Sequence, residues 1–242
     1  MKIVAIIQAR MGSTRLPGKV LRKVVGKPLI KYQIDRIRES SYLDEIVIAT
    51  TNNKKDDAIV DFCRHEKVRC VRGSEKDVVS RYLRAAEETQ ADVIVRFTAD
   101  CPLIDADTID QVIKAFVTKK IADYVTNVQE RTYPRGYDIE VFTMQTLEKI
   151  SKIANRTSDR EHVTTYIRDH PDQFHIYNVF HHTNYSSYRL TVDTLEDFQL
   201  IEKIIKSLEP KWRYFTLEDV ITLLEHHPDW VNINANIEQK GW

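Results

Sequence analysis

The sequence predicts one α/β domain with a mainly parallel, doubly wound sheet of the Rossmann-like type. The first observation behind this prediction is that strand-like apolar runs alternate with helix-like segments through the first half of the chain. The second is that a loop rich in basic residues follows the first strand, where α/β sheets bind their ligands. No repeat, low-complexity segment or clear linker divides the 242 residues, so we treat residues 1–242 as one domain.

The first half of the chain contains the alternating elements. The predicted strands are Ile3–Ile7, Glu45–Thr50, Val68–Val71 and Asp92–Phe97. The predicted helices between them are Leu29–Ser40, Lys55–Glu66 and Val78–Thr89, and a helix at Thr108–Thr118 and a strand at Ala122–Val128 continue the pattern. This order places ligands at the carboxyl ends of the strands.

The alternation changes from about residue 129, where we expect an inserted elaboration over residues 129–187. Residues 133–137 have the composition of a turn, and Asp138–Phe142 alternates like a strand. The remaining predicted elements are a helix at Asp159–Arg168, strands at His175–Phe180 and Tyr188–Val192, and helices at Leu195–Ser207 and Leu217–His226.

The composition excludes several functional classes. Lys plus Arg and Asp plus Glu both total 36, so the chain lacks the basic excess expected of a nucleic-acid-binding protein. No apolar run approaches the roughly 20 residues of a membrane span. The three cysteines form no CxxC pair and no signal peptide is evident, which predicts a cytoplasmic protein without nucleic-acid or membrane partners.

The loop from residue 8 to residue 21 predicts a polyphosphate site. It contains Arg10, Gly12, Ser13, Arg15, Gly18 and Lys19. Glycines let a backbone approach phosphates closely, and guanidinium groups bind phosphate oxygens two at a time. A solvated basic loop is the alternative interpretation.

Two known phosphate-binding loops do not fit this stretch. A P-loop has four residues between its glycines and a hydroxyl residue after its lysine, whereas here five residues separate Gly12 from Gly18 and Val20 follows Lys19. A dinucleotide-binding turn also fails, because no third glycine opens a helix.

Two aspartates are candidate ligands for Mg²⁺, because each follows an apolar strand-like run. Asp100 ends the run from Val93, and Asp193 ends the run from Tyr188. In a parallel sheet both carboxylates would lie near the basic loop, and carboxylates with phosphates are typical ligands of Mg²⁺. Asp193 also begins a capping-box pattern, so it is predicted as a metal ligand, a helix cap or both.

Other polar residues have a second interpretation. Asp105 and Asp107 match an Asp-x-Asp metal motif, but they precede an apolar helix and are better explained as helix capping. Asp138 and Glu140 lie two apart on one face of a predicted strand that lines a pocket or is simply solvated. His162 lies in a polar helical cluster that faces a sugar substrate or is structural.

Several motifs together resemble a known family. Ala9-Arg10-x-x-Ser13-x-Arg15-Leu-Pro-Gly-Lys19-x-Leu21 resembles the signature of the sugar-acid cytidylyltransferases, which include the 3-deoxy-manno-octulosonate and acylneuraminate enzymes. Residues 98–103, 136–141 and 160–164 resemble the branch that serves spore coat polysaccharide. The resemblance covers essentially the whole chain.

The resemblance implies a glycosyltransferase-A-type nucleotidyltransferase fold and an enzyme that joins CTP to a sugar acid, releasing pyrophosphate. It implies that Arg10, Ser13, Arg15 and Lys19 hold the triphosphate and that Asp100 and Asp193 hold Mg²⁺. The other residues implied in nucleotide binding are Gln8, Ala9, Gly12, Arg96 and Thr98, and those on the acceptor side are Asp138, Glu140 and His162. Relatives are commonly dimers, so a homodimer is an expectation.

Two other functions fit the same residues. A sugar-nucleotide-dependent glycosyltransferase would hold its metal on Asp105 and Asp107 and release a nucleoside diphosphate. A non-catalytic nucleotide-binding protein of a polysaccharide pathway would bind CTP without turnover. The identity of the sugar and the strictness of the preference for CTP are left open by the sequence.

Overall fold

The fold is built around a central β-sheet. The computed structural model describes residues 1–119, 121–211 and 213–239. The strands within these residues are β1 Ile3–Gln8, β2 Lys23–Val24, β3 Lys27–Pro28, β4 Glu45–Thr51, β5 Arg69–Gly73, β6 Val93–Thr98, β7 Tyr124–Thr126, β8 Glu140–Thr143 and β9 Ile176–Asn178. Seven of them form one sheet in the order β5-β4-β1-β6-β8-β7-β9, and β2 pairs with β3.

The helices lie mainly between the strands along the chain. Their ranges are α1 Leu29–Ile37, α2 Asp57–Glu66, α3 Val78–Thr89, α4 Ala106–Thr118, α5 Met144–Ile153, α6 Thr157–His162, α7 Thr165–Asp169, α8 Leu195–Leu208, α9 Leu217–His226 and α10 Pro228–Val231. None of the helices in the described ranges is both long and apolar enough to cross a bilayer.

Alternating side chains of the sheet form two apolar cores. In β1, Ala5 and Ile7 pack into a core shared with α1, α4, α8 and α9, while Val4 and Ile6 pack into a second core with α3, α5 and α7. The strands β5, β4, β1 and β6 are parallel, and β8 is antiparallel to β6 and β7. The predicted α/β class with a mainly parallel, doubly wound sheet is therefore confirmed.

The parallel strands decide where a ligand can approach. Because β1 and β6 are neighbours and run in the same direction, the residues after Gln8 and after Thr98 meet at one edge of the sheet. Ala9 extends this edge by donating its backbone N–H to the carbonyl of Ala49. The basic loop and the segment that contains Asp100 thus lie side by side.

Two predicted elements are wrong. The predicted strand Tyr188–Val192 is not a strand, because its backbone groups bond to separate segments: Leu190 N–H donates to Arg135 and Val192 N–H donates to Asp100. The predicted single helix over 159–168 is interrupted at Val163, whose φ of +59° ends α6.

Other predicted boundaries also moved. The strand predicted from Asp138 begins only at Glu140, and the helix α5 that follows it has no counterpart in the sequence predictions. Thr143 caps α5, since its hydroxyl accepts a hydrogen bond from the backbone of Thr146. Thr143 is the only capping residue between β8 and α5, and one threonine is too weak a signal to predict that a helix begins there.

Candidate active site

A cleft of about 510 Å³ opens at the carboxyl edge of β1 and β6. Twelve of the predicted site residues line it: Gln8, Ala9, Arg10, Ser13, Arg15, Lys19, Arg96, Thr98, Asp100, Asp138, His162 and Asp193. Two predicted residues do not line it. Gly12 is exposed, and Glu140 lines a smaller adjoining cavity of about 50 Å³.

The basic loop has a defined fold, because its backbone closes on Met11. The carbonyl of Met11 accepts hydrogen bonds from Ser13 and Gly18, and its N–H donates to Asp56 at 2.7 Å. Gly18 has a φ of +68°, a left-handed conformation that favours glycine. This turn returns the chain to the cleft so that Lys19 points toward the segment after β6.

Lys19 lies between the two predicted metal ligands. Its ammonium donates to Asp100 Oδ2 at 2.9 Å, to Asp193 Oδ1 at 2.8 Å and to the carbonyl of Val192 at 2.8 Å. The sequence predicted Lys19 as a phosphate ligand and the aspartates as metal ligands, but it did not predict that they contact one another. All three side chains are mostly shielded from solvent.

The Lys19 ammonium and the neighbouring carboxylates each stabilise the charged form of the other. Burial alone would raise the pKa of Asp100, but Lys19 and the hydroxyl of Thr98 outweigh burial and lower it to about 2. Burial would likewise lower the pKa of Lys19, and the two carboxylates raise it instead. At neutral pH Lys19 and Asp100 are therefore both charged.

The two aspartates fit Mg²⁺ chemically. Their carboxylates converge on one cation, the Lys19 ammonium, and present hard oxygen ligands to the same small volume. Among the described residues, no group of three or more His, Cys, Asp or Glu side chains is arranged to hold a metal. A bound Mg²⁺ would therefore take its remaining ligands from phosphates and water, as it commonly does.

Asp193 is held from its other side by two arginines. Its Oδ2 contacts Arg15 at 3.0 Å and Arg189 at 2.9 Å. The expectation that Asp193 caps the following helix is wrong: Thr194 is the cap of α8, and Asp197 completes the capping box. The backbone N–H of Asp193 donates to Asp197 of α8 at 2.9 Å, while its carboxylate caps nothing and faces the cleft.

Arg189 is a site residue that sequence reasoning missed. It is bound to the fully buried Asp197 through two hydrogen bonds and to Gln239 through a third, of 2.6 Å. Asn234 completes the arrangement by donating to Asp197 and to the carbonyl of Arg189. These contacts fix the Arg189 guanidinium, which in turn orients Asp193.

If Asp193 is the metal ligand that the sequence predicts, Arg189→Gln should reduce catalytic turnover by about 10- to 100-fold, the usual cost of removing a partner that orients such a ligand. The variant should also melt at a lower temperature, because the buried Asp197 loses its counter-charge. Steady-state kinetics and thermal melting test this. Arg64→Gln, which removes an exposed arginine paired with Asp61, is the control, and equal behaviour of the two variants would contradict the assignment.

The far side of the cleft contains paired charges. Arg96 forms an ion pair with Glu140, whose carboxylate also accepts hydrogen bonds from Tyr124 and Thr164. Glu140 is 4% exposed and β8 is an inner strand, so the solvated-face interpretation is wrong for this residue. Burial would raise the pKa of Glu140, but Arg96 and its other partners lower it.

Asp138 and His162 lie between the cleft and the smaller cavity and line both of them. Asp138 accepts two hydrogen bonds from Arg131, at 2.6 and 3.0 Å. His162 has a lowered pKa, because it is partly buried and lies near Arg96 and Arg168. The imidazole is therefore neutral at pH 7 and can accept as well as donate a hydrogen bond.

Asp105 is a helix cap, as the sequence predicted. One of its oxygens accepts from the backbone of Thr108 at 2.7 Å, and the other accepts from Leu217 at 2.7 Å. The carboxylate is 5% exposed and burial raises its pKa, while Asp107 points to solvent. Both oxygens of Asp105 are occupied by backbone donors, so the pair does not form an Asp-x-Asp metal site.

Arg10 and Ser13 make longer polar contacts than Arg15 and Lys19 do. Arg10 is partly exposed and lies 3.7 Å from Glu161 and 4.0 Å from Glu75. The oxygen of Ser13 accepts a long hydrogen bond of 3.3 Å from Leu16, and its hydroxyl hydrogen is available to a ligand. Both side chains line the cleft.

Comparisons with known proteins extend over the whole chain. A family model described as cytidylyltransferase matches residues 4–226. An uncharacterized protein of Methanocaldococcus jannaschii is 38% identical over 244 residues, which is 100% of this chain and 98% of the relative. The spore coat polysaccharide biosynthesis protein SpsF of Bacillus subtilis is 36% identical over 235 residues, 94% and 95% of the two chains. A 3-deoxy-manno-octulosonate cytidylyltransferase of Chlamydia trachomatis is 34% identical over 140 residues, 56% and 53%.

Solved structures give the same picture of the fold. A cytidylyltransferase from Leptospira borgpetersenii superposes with a TM-score of 0.88 at 32% identity, covering 100% of both chains. A CMP:2-keto-3-deoxy-manno-octonic acid synthetase in complex with CTP gives 0.66 at 17% identity, covering 86% and 99%. The manganese complex of Rv0371c from Mycobacterium tuberculosis gives 0.60 at 13% identity, covering 84% and 99%. At such low identities the last two bear on the fold alone.

Proposed function

The chain belongs to the cytidylyltransferase family, and we propose that it transfers CMP from CTP to a sugar acid of the nonulosonic or octulosonic type, with release of pyrophosphate. The observation that carries the proposal is the convergence of Arg15, Lys19, Asp100 and Asp193 at one end of the cleft. Two relatives, a spore coat polysaccharide biosynthesis protein and a 3-deoxy-manno-octulosonate cytidylyltransferase, support a surface-polysaccharide sugar as acceptor.

The proposed reaction is an in-line displacement at phosphorus. The anomeric hydroxyl oxygen of the sugar forms a bond to the α-phosphorus of CTP, and the bond from that phosphorus to the α,β-bridging oxygen breaks. Pyrophosphate leaves, and the hydroxyl proton passes to solvent. Such a reaction depends on positioning and charge neutralisation more than on a protein nucleophile.

The basic loop supplies the charge that this reaction needs. Arg10, Arg15 and Lys19 neutralise the β- and γ-phosphates and so stabilise the departing pyrophosphate. Asp100 and Asp193 would hold Mg²⁺, which would supply positive charge beside the phosphates and lower the pKa of an oxygen that it polarises. Arg15 contacts Asp193, and Lys19 contacts both carboxylates. We expect a bound triphosphate to draw both cations from these carboxylates toward its own oxygens.

The acceptor is assigned to the side of the cleft that residues 129–187 border. Of the three predicted acceptor-side residues, Asp138 and His162 line the cleft, and Glu140 acts indirectly by holding Arg96. Gln8, Ala9, Gly12, Ser13, Arg96 and Thr98 complete the nucleotide side. A cytoplasmic homodimer is the form in which we expect the enzyme, and gel filtration with light scattering tests its oligomeric state.

The function is tested by measuring pyrophosphate release from each of the four NTPs in the presence of Mg²⁺ and a panel of nonulosonic and octulosonic acids. We expect release that requires both CTP and a sugar acid, with a CMP-sugar as the second product. A nucleoside diphosphate formed from a sugar nucleotide would instead indicate a glycosyltransferase. Binding of CTP without turnover by any acid would indicate a non-catalytic protein.

A further inference from the structure

Lys19 lies between Asp100 and Asp193, the two proposed ligands of Mg²⁺, which we call the metal aspartates. Its ammonium is 2.9 Å from Asp100 Oδ2 and 2.8 Å from Asp193 Oδ1. The carbonyl of Val192 accepts a third hydrogen bond from it at 2.8 Å. An ammonium has three N–H donors, so all of them have partners in the unliganded protein. The Lys19 side chain is only 12% exposed, and solvent therefore screens these contacts weakly.

The outer oxygens of the metal aspartates have partners as well. Asp100 Oδ1 accepts a hydrogen bond from the hydroxyl of Thr98 at 2.5 Å. Asp193 Oδ2 contacts Arg15 at 3.0 Å and Arg189 at 2.9 Å. Each of the four carboxylate oxygens thus faces a donor. A metal ion that bound both carboxylates with these donors in place would lie close to the like charges of Lys19 and Arg15.

The charges around the metal aspartates already balance. Lys19 and Arg15 carry one positive charge each, and together they offset the two carboxylates. Arg189 adds a third positive charge, which its ion pair with Asp197 offsets. A divalent cation would therefore bring uncompensated positive charge into a group that is largely shielded from solvent, which is costly. A triphosphate supplies the missing negative charge and offers Lys19 and Arg15 other oxygens.

We propose that Lys19 keeps divalent metal out of the unliganded site, with a smaller contribution from Arg15, so that metal binds together with the triphosphate or after it; this inference rests on the proposed function. A bound triphosphate draws the two cations away and leaves the carboxylates to the metal. By linkage, metal and triphosphate then raise each other's affinity by the same factor. Arg189 stays bound to the buried Asp197, so Asp193 keeps its orientation when Lys19 leaves.

The test measures binding of Mn²⁺ to the unliganded protein by electron paramagnetic resonance, which detects the free ion, with neither nucleotide nor sugar acid present. Lys19→Met should bind one Mn²⁺ per chain, with a dissociation constant about 5- to 150-fold below that of the wild type, the usual range for coupling between two sites. Mn²⁺ should also raise the melting temperature of Lys19→Met more than that of the wild type. Lys23→Met, which changes an exposed lysine on β2, is the matched control and should behave like the wild type.

A second substitution locates the ion. Adding Asp100→Asn to Lys19→Met should abolish the gain in affinity for Mn²⁺. If Lys19→Met does not fold, Arg15→Met replaces it and should strengthen binding by a smaller factor, because Arg15 contacts only one of the metal aspartates.

Two results would overturn the inference: a folded Lys19→Met or Arg15→Met that binds Mn²⁺ no better than the wild type, or a gain in affinity that survives Asp100→Asn. The measurement needs no turnover, so its outcome is separate from that of the proposed function. Pyrophosphate release from CTP together with unchanged Mn²⁺ binding in Lys19→Met would refute only the inference. Tighter Mn²⁺ binding in Lys19→Met would support it even if none of the acids tested gave pyrophosphate.

Discussion

Replacement of Lys19 by methionine is expected to lower kcat/KM for pyrophosphate release by about 10³-fold, the scale on which removal of one charge-stabilising group acts. Lys19 contacts both Asp100 and Asp193, so it lies where the nucleotide, the metal and the leaving pyrophosphate meet in the proposed reaction. Methionine keeps the length of the chain and removes the charge. A pyrophosphate-coupled assay with CTP and the accepted sugar acid measures the effect.

The stability of the variant must be followed as well. Without Lys19, the carboxylates of Asp100 and Asp193 remain close together and largely shielded from solvent, which costs folding free energy. We therefore expect a lower melting temperature, and the assay belongs well below it. Lys23→Met, which changes an exposed lysine on β2, is the matched control. Activity of Lys19→Met within tenfold of the wild type, with a normal melting temperature, would contradict the central role of this residue.

The local pattern of apolar residues was sufficient to predict the strands whose carboxyl ends form one edge of the candidate site. The run from Ile3 to Ile7 is apolar at every position because both faces of β1 are covered, and that continuous pattern is typical of a central parallel strand. The residues that follow such a strand must lie at the sheet edge, so the position of the loop with Arg10 and Lys19 followed from the sequence. The contacts of those side chains did not.

Long-range pairing is what the sequence left open. Lys19 contacts Asp100, which is 81 residues away in the sequence, and Asp193, which is 174 residues away. The residues around each of these three side chains do not indicate that the side chains contact one another. Arg189 was also missed. It lies between apolar residues and was interpreted as part of a strand, and its contacts with Asp197 and Gln239 are not evident from the residues around it. Arg81, a buried residue that also lines the cleft, did leave a local signal: it lies on the buried face of α3, between Val78 and Tyr82, where a charged residue is unusual.

The incorrect strand prediction at 188–192 arises because a paired strand and an unpaired extended segment can have the same alternating sequence pattern. An extended chain with alternating side chains forms a strand only if a neighbouring strand pairs with it along its length. Here Arg135 pairs with the beginning of the segment, while the carbonyl of Asp100 accepts hydrogen bonds from Val192 and from the hydroxyl of Thr191. The segment thus connects the turn at 133–137 with the residues after β6, and it carries Asp193 to the cleft.

Replacement of Gly136 by alanine tests that connection. Gly136 has a φ of +102°, and a Cβ at this position would lie against the carbonyl oxygen of Leu190 and 2.8 Å from the backbone nitrogen of Thr191. Both neighbours are backbone atoms and cannot rotate away, so the turn must separate from the 188–192 segment. We expect the free energy of unfolding to fall by about 3–5 kcal/mol, as is typical of severe backbone strain. The melting temperature should fall by roughly 10 °C.

Gly26→Ala separates this contact from the cost of the left-handed conformation alone. Gly26 has a φ of +77°, but apart from its two chain neighbours nothing lies within 4 Å of an added Cβ, so its replacement should cost only about 1–2 kcal/mol. Equal melting temperatures for the two variants would show that the contact with residues 190–191 is not limiting. Because Asp100 and Asp193 are joined through the same segment, pyrophosphate release by Gly136→Ala should fall even at temperatures where the protein is folded, whereas Gly26→Ala should retain it. We therefore expect the geometry of Asp100 and Asp193, the two proposed metal ligands, to depend on Gly136, which lies against residues 190 and 191.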